Sequence, residues 1–122
     1  MTIKLNRDLA YKAIVNAQGN PMTSSIIILE EIVNNYQLQL ITDSDNQSKL
    51  YSPLEDGWHV DYKYFTEKLG FKRFKTRYAF WKLEEYSLIK RVIVKPTKGT
   101  KAMGSDLYLK LNLESIKNLL DI

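Results

Sequence analysis

The chain has 122 residues, 44% of them hydrophobic and 26% charged, with no cysteine, one histidine and a formal net charge of +4. That length and balance predict one domain with its own core. The absence of cysteine removes disulfides, thiol nucleophiles and thiolate metal sites, and the lone His59 removes any site that needs two imidazoles.

No stretch approaches the roughly 20 apolar residues of a membrane span, and the opening MTIKLNRDLAYK lacks a signal-peptide core. A soluble, cytoplasmic protein without a membrane partner is expected. The charge is unevenly divided. Residues 1–57 carry four basic against seven acidic side chains, whereas residues 58–104 carry twelve against four. Such a basic segment suits a polyanion-binding surface, and the competing reading is a solvated cationic face.

In chain order, Asn6 is a candidate N-cap for a helix whose apolar stripe is Leu9, Ala10, Ala13 and Ile14, ending at Gly19-Asn20-Pro21. A second helix starts at Thr23 or Ser24. There Ile26, Ile27, Leu29, Ile32, Val33 and Tyr36 recur at helical spacing, with Ile28 thickening the stripe. The polar stretch 42–57 reads as a loop. Trp58-His59-Val60 reads as extended, Asp61 as an N-cap, and Tyr62, Phe65 and Leu69 as one face of a short helix stopped by Gly70. A further helix over 73–86 puts Thr76, Ala79, Phe80 and Leu83 on one face and interleaves basic and aromatic residues on the others. Strands over 88–95 and 107–111 flank a basic turn, as in a hairpin with a charged tip, and Asn112 caps a last amphipathic helix through Ile116, Leu119 and Leu120. The apolar ending LESIKNLLDI suits a chain that continues past Ile122.

Two motif matches fail on inspection. Asp43-Ser44-Asp45-Asn46-Gln47 begins like a calcium loop, but Ser48 stands where glycine is needed and Leu54 where glutamate is needed. Asn46-Gln47-Ser48 fits a glycosylation acceptor in a chain with nothing to route it for secretion. Glu84 and Glu85 point about 100° apart on a helix and make a poor acid/base pair. The expectation is no enzyme, no cofactor and no metal.

The order helix, turn, helix, strand, basic loop, strand resembles a winged helix-turn-helix, an α+β, mainly helical fold with a two- or three-stranded antiparallel wing. The residues carrying the resemblance are Phe65-Thr66-Glu67-Lys68-Leu69-Gly70-Phe71, followed by Arg77-Tyr78-Ala79-Phe80-Trp81-Lys82-Leu83-Glu84-Glu85-Tyr86-Ser87-Leu88-Ile89-Lys90-Arg91. With Leu5–Ala10, the helix at 26–36, Gly57–Asp61 and Leu107–Leu113, nearly the whole chain is similar to the N-terminal domains of phage and plasmid replication proteins. Two positions depart from that pattern: Lys72 stands where Ser or Thr caps the recognition helix, and Ser87 where glycine is usual. The second change is mild if Ser87 keeps a negative φ.

The resemblance implies double-stranded DNA as partner, in replication initiation or organisation of a phage or plasmid-type element, or in transcription regulation. It places the chain on the nucleoid when DNA-bound. Arg73 and Arg77, with Lys75, Thr76 and Tyr78, are the candidates for the major groove, since guanidinium can bond guanine O6 and N7 together. Lys72 and Lys82 suit phosphates, and Lys95, Lys98, Thr100 and Lys101 suit the wing.

Against these stand structural readings. Arg77 and Lys75 are simply solvated, or pair with Glu84, Glu85 or other acids; Trp81 and Tyr78 serve the core or an interface; Tyr62, Tyr64, Phe71 and Phe74 serve the core; and His59 is structural. A protein-interaction winged helix docking through Phe74, Tyr78 and Trp81 is the alternative function. A homodimer joined through the apolar terminal helices, or a replication or transcription protein as partner, is compatible with either reading.

Overall fold

The most apolar segment of the sequence lies at the centre of the molecule. In the computed structural model, which describes residues 2–94 and 106–122, the helix α2 (Thr23–Tyr36) buries Ser25, Ile26, Ile28, Leu29, Ile32, Val33 and Tyr36. Ile27 is turned outward and Ile28 inward, because Ile28 falls within the arc of Ser25, Leu29 and Ile32 and Ile27 falls outside it. Before it, α1 (Arg7–Ala13) is capped as expected, the Asn6 side chain accepting from the Leu9 amide. Its buried residues are Ala10 and the following Ile14, while Leu9 and Ala13 face outward.

The stretch 42–57 is not a single loop. β1 (Gln39–Thr42) and β2 (Ser48–Tyr51) pair antiparallel, with Thr42 opposite Ser48. The Asp43 carboxylate accepts from the Asp45 and Gln47 amides and closes the turn. Of the paired side chains only Leu50 is buried, so the hairpin leaves no period-two apolar signal in the sequence.

The second sheet has the order β3-β5-β4, formed by β3 (Trp58–His59), β4 (Ile89–Val94) and β5 (Asp106–Leu111), all antiparallel. Tyr36 ties α2 to it: its buried hydroxyl donates to the Leu109 carbonyl at 2.6 Å and accepts from the Leu111 amide. Between β3 and β4 lie α3 (Tyr62–Leu69) and α4 (Arg73–Glu85). α3 is capped by Asp61, which accepts from the Tyr64 amide, and is stopped by Gly70 at φ 73°. Ser87, between α4 and β4, sits at φ 60°, so the left-handed conformation is adopted here without glycine. It is held from both sides, its amide donating to the Glu84 carbonyl and its own carbonyl accepting from Asn112 Nδ2.

The C-terminal helix is shorter than predicted. After the Asn112 cap, α5 spans Leu113–Ile116, a 3-10 turn covers Lys117–Leu119, and Leu120 is extended and bridged to Leu5. Ile116, Leu119 and Leu120 are buried in the chain's own core, which removes them as exposed dimer contacts. The fold is thus α+β, with five helices and two small antiparallel sheets among the described residues. None of those helices is long and apolar enough to cross a membrane.

Candidate nucleic-acid interface

An aromatic core sets the position of α4. Phe65 of α3 and Phe80 of α4, both fully buried, meet edge to face at 4.9 Å, and Trp58 and Tyr62 pack edge-on against Phe65 and Phe80 respectively. On the other side, α2 approaches α4 where both residues are small, and the Ser25 hydroxyl donates to the Ala79 carbonyl. Thr76, Ala79, Phe80 and Leu83 form the inner face of α4 as predicted. Thr76 is therefore not available to a ligand: it is wholly buried and its hydroxyl donates to the Lys72 carbonyl.

The outward ridge of α4 is aromatic. Phe74 is 80% exposed, Trp81 53% and Tyr78 44%, so Phe74 is not a core residue and Trp81 is not buried by this chain. Tyr78 and Trp81 touch edge to face at 5.7 Å, and Lys82 Nζ lies 4.9 Å from the Trp81 ring centre. Cations flank the ridge. Arg77 sits over the Tyr62 ring at 5.4 Å, and Arg73 lines a cleft with Asp61, Tyr62, Lys63 and Thr66. Lys75 lies over Phe71 and lines a second cleft with the first turn of α2. Lys72 occupies the N-cap of α4 with no side-chain capping bond, as the departure from the family pattern implies.

Among the described residues of this half of the chain, most other cations are neutralised. Lys68 pairs with Glu31 at 2.7 Å, Lys63 with Glu67, Lys82 with Glu85 at 3.1 Å and Arg91 with Glu84 at 2.8 Å. Burial opposes ionisation of Glu31 and Glu84, yet hydrogen bonds from Lys68, Tyr64 and Asn35 to the first, and from Arg91 to the second, hold both below the usual carboxylate range. The hydrogen bond to Glu85 pushes the Lys82 ammonium up. Lys82 is thereby less suited to phosphate than the sequence suggested.

The expected competitors of Arg77 and Lys75 are occupied elsewhere, Glu84 by Arg91 and Glu85 by Lys82. Among the described residues, Lys72, Arg73, Lys75 and Arg77 are in no ion pair. Four cations without acid partners thus fall within the first turns of one helix and its cap. Lys95, Lys98, Thr100 and Lys101 lie outside the described residues.

Two features of this surface are not apparent from composition. The aromatic ridge is visible only as the spacing 74, 78, 81 opposite the buried face, and Tyr62 serves two arginines from different elements, Arg77 through its ring and Arg91 through its hydroxyl. No protein-family model, no curated protein and no solved structure matches this chain.

Proposed function

We propose that this chain is a winged helix-turn-helix domain that binds double-stranded DNA, with α3 and α4 as the helix-turn-helix and the strands β4 and β5 as the base of the wing. The observation that carries the reading is the cluster of Lys72, Arg73, Lys75 and Arg77, exposed and without acid partners at the start of α4. An α-helix fits the major groove, and a cluster of uncompensated cations is what duplex phosphates attract. In this reading Arg73 and Arg77 reach base edges and Lys72 and Lys75 the flanking phosphates. The biological setting is replication initiation or organisation of a phage or plasmid-type element, or transcription regulation, with a homodimer reading two half-sites.

The test is fluorescence anisotropy of a labelled duplex with the wild type and with Arg73→Glu/Arg77→Glu. Both side chains are exposed, so the fold and its melting temperature are expected to stay as they are. DNA affinity is expected to fall about 100-fold or more. Unchanged affinity would favour the second reading, a protein-docking face, for which the exposure of Phe74, Tyr78 and Trp81 speaks.

A further inference from the structure

Cations explain attraction to a polyanion, but they do not explain why the most outward residues of α4 are rings. On a helix advancing about 100° per residue, Phe74, Tyr78 and Trp81 fall within an arc of about 60° and are spread over about 10 Å of its axis. This arc is centred opposite the buried Thr76, Ala79, Phe80 and Leu83. Any partner that lies along α4 meets the rings first, with Arg73 and Arg77 on one side and Lys75 and Lys82 on the other. Phe74 is the extreme case: four-fifths exposed and, among the described residues, in no ring or cation contact.

The charge around the ridge selects the partner. An aromatic patch meant for an apolar protein surface would not be flanked by three uncompensated cations, Arg73, Lys75 and Arg77, whose desolvation would cost affinity on contact with an apolar face. A nucleic acid strand offers both complements, phosphates for the flanks and π-faces for the rings. In a closed duplex, however, each base face is covered by its neighbours, and the grooves expose only edges and methyl groups. Unpaired bases leave their faces free to stack.

We infer that the outer ridge of α4 stacks unpaired nucleobases, with Phe74 foremost, so that the chain prefers DNA containing an unpaired stretch to the same DNA fully paired. The inference rests on the DNA-binding reading of α4 and moves its preferred ligand from a closed duplex to DNA that offers an unpaired stretch.

The experiment compares three labelled DNAs by anisotropy: a duplex of about 20 base pairs, the same duplex with a central run of unpaired thymines, and an oligodeoxythymidylate of the same length. Proteins are the wild type, Phe74→Ala, Phe74→Leu and Phe74→Trp. The exposure of Phe74 makes their melting temperatures comparable, which circular dichroism checks. The opened duplex and the single strand are expected to bind about ten-fold more tightly than the closed duplex. Phe74→Ala and Phe74→Leu are expected to lose that preference, and Phe74→Trp to keep it, because leucine retains apolar size without a π-face. Quenching of tryptophan emission by the single strand, lost in Trp81→Phe, is expected alongside.

Equal binding of closed and opened duplex by the wild type would overturn the inference, as would a preference that survives in Phe74→Leu. An equal loss on all three DNAs in Phe74→Ala would also overturn it and make the ring a contact to base edges. Those outcomes leave the DNA-binding reading intact. If no DNA binds even at low salt, both fall, and the ridge becomes a protein-docking face.

Discussion

Arg77 and Arg91 meet the same tyrosine from different elements, and they differ in what answers their charge. Arg91, on β4, donates one guanidinium nitrogen to the Tyr62 hydroxyl and another to Glu84, and its backbone amide also donates to Glu84 at 2.7 Å. It is half-buried and fully used in fastening the sheet to α4. Arg77, on α4, lies over the Tyr62 ring with no carboxylate partner and faces solvent. The same contrast separates Lys68, which is bound to Glu31 and Tyr64, from Lys75, which has only the face of Phe71. Net charge does not distinguish these cations; neutralisation does, and only the uncompensated group is left to a ligand.

The contrast can be broken most forcefully from the paired side. Arg91→Ala leaves the Glu84 carboxylate half-buried without its guanidinium partner and is expected to cost about 1–3 kcal/mol of stability in urea unfolding. DNA affinity per folded molecule is expected to be nearly unchanged. An equally large loss of affinity would blur the division between structural and ligand-facing cations.

Acid should act on the same paired groups. Glu30 is held below the usual carboxylate range mainly by its hydrogen bonds from Arg7, and Glu31 and Glu84 are held there by their partners despite burial. All three therefore bind a proton less readily folded than unfolded. The stability they contribute is whole above the ordinary glutamate pKa of about 4.3 and drains away as pH falls through the lower folded values. Their share of the melting temperature should thus hold between about pH 5 and 7 and fall by a few degrees below about pH 4. In Arg91→Ala the acid-induced fall should be smaller, since the share of Glu84 is already gone.

A smaller change sharpens the comparison at the unpaired group. Lys72 has the extended backbone of an N-cap but no side-chain capping bond. Lys72→Ser supplies the missing oxygen acceptor and removes one ligand-facing cation. Stability should rise by about 0.5–1 kcal/mol while DNA affinity falls, with one fewer phosphate in its salt dependence. Effects of the same sign on both would contradict the assignment of Lys72.

Local chemistry was the part of this fold most legible in the sequence. Asn6, Asp61 and Asn112 each cap a helix with their own side chain, and Gly70 ends α3, because such signals need only a few neighbouring residues. The first hairpin was hidden because its exposed Leu40 and Ile41 break the alternation that a half-buried strand would show. Serine in place of glycine at position 87 is mild only at negative φ, yet Ser87 takes the left-handed conformation, held there by Glu84 and by Asn112 from a distant element.

At the candidate site, the helical period placed the face of α4 that points inward, including Thr76. It could not tell that Glu84 and Glu85 are claimed by Arg91 and Lys82, because the first pairing depends on β4 folding back beside α4. Residue type alone favours the core for Phe74, and its position opposite Thr76, Ala79, Phe80 and Leu83 outweighs that preference and leaves it on the exposed face with Tyr78 and Trp81.

The central claim, that the uncompensated cations of α4 meet DNA, is tested most directly by titrating a labelled duplex at several salt concentrations. Each neutralised phosphate contributes a slope of about −0.9 to log K against log salt, so Lys72 and Lys75 together with the lysines of the basic wing predict a slope of roughly −3 to −6. A slope near zero, or no binding at low salt, would contradict it.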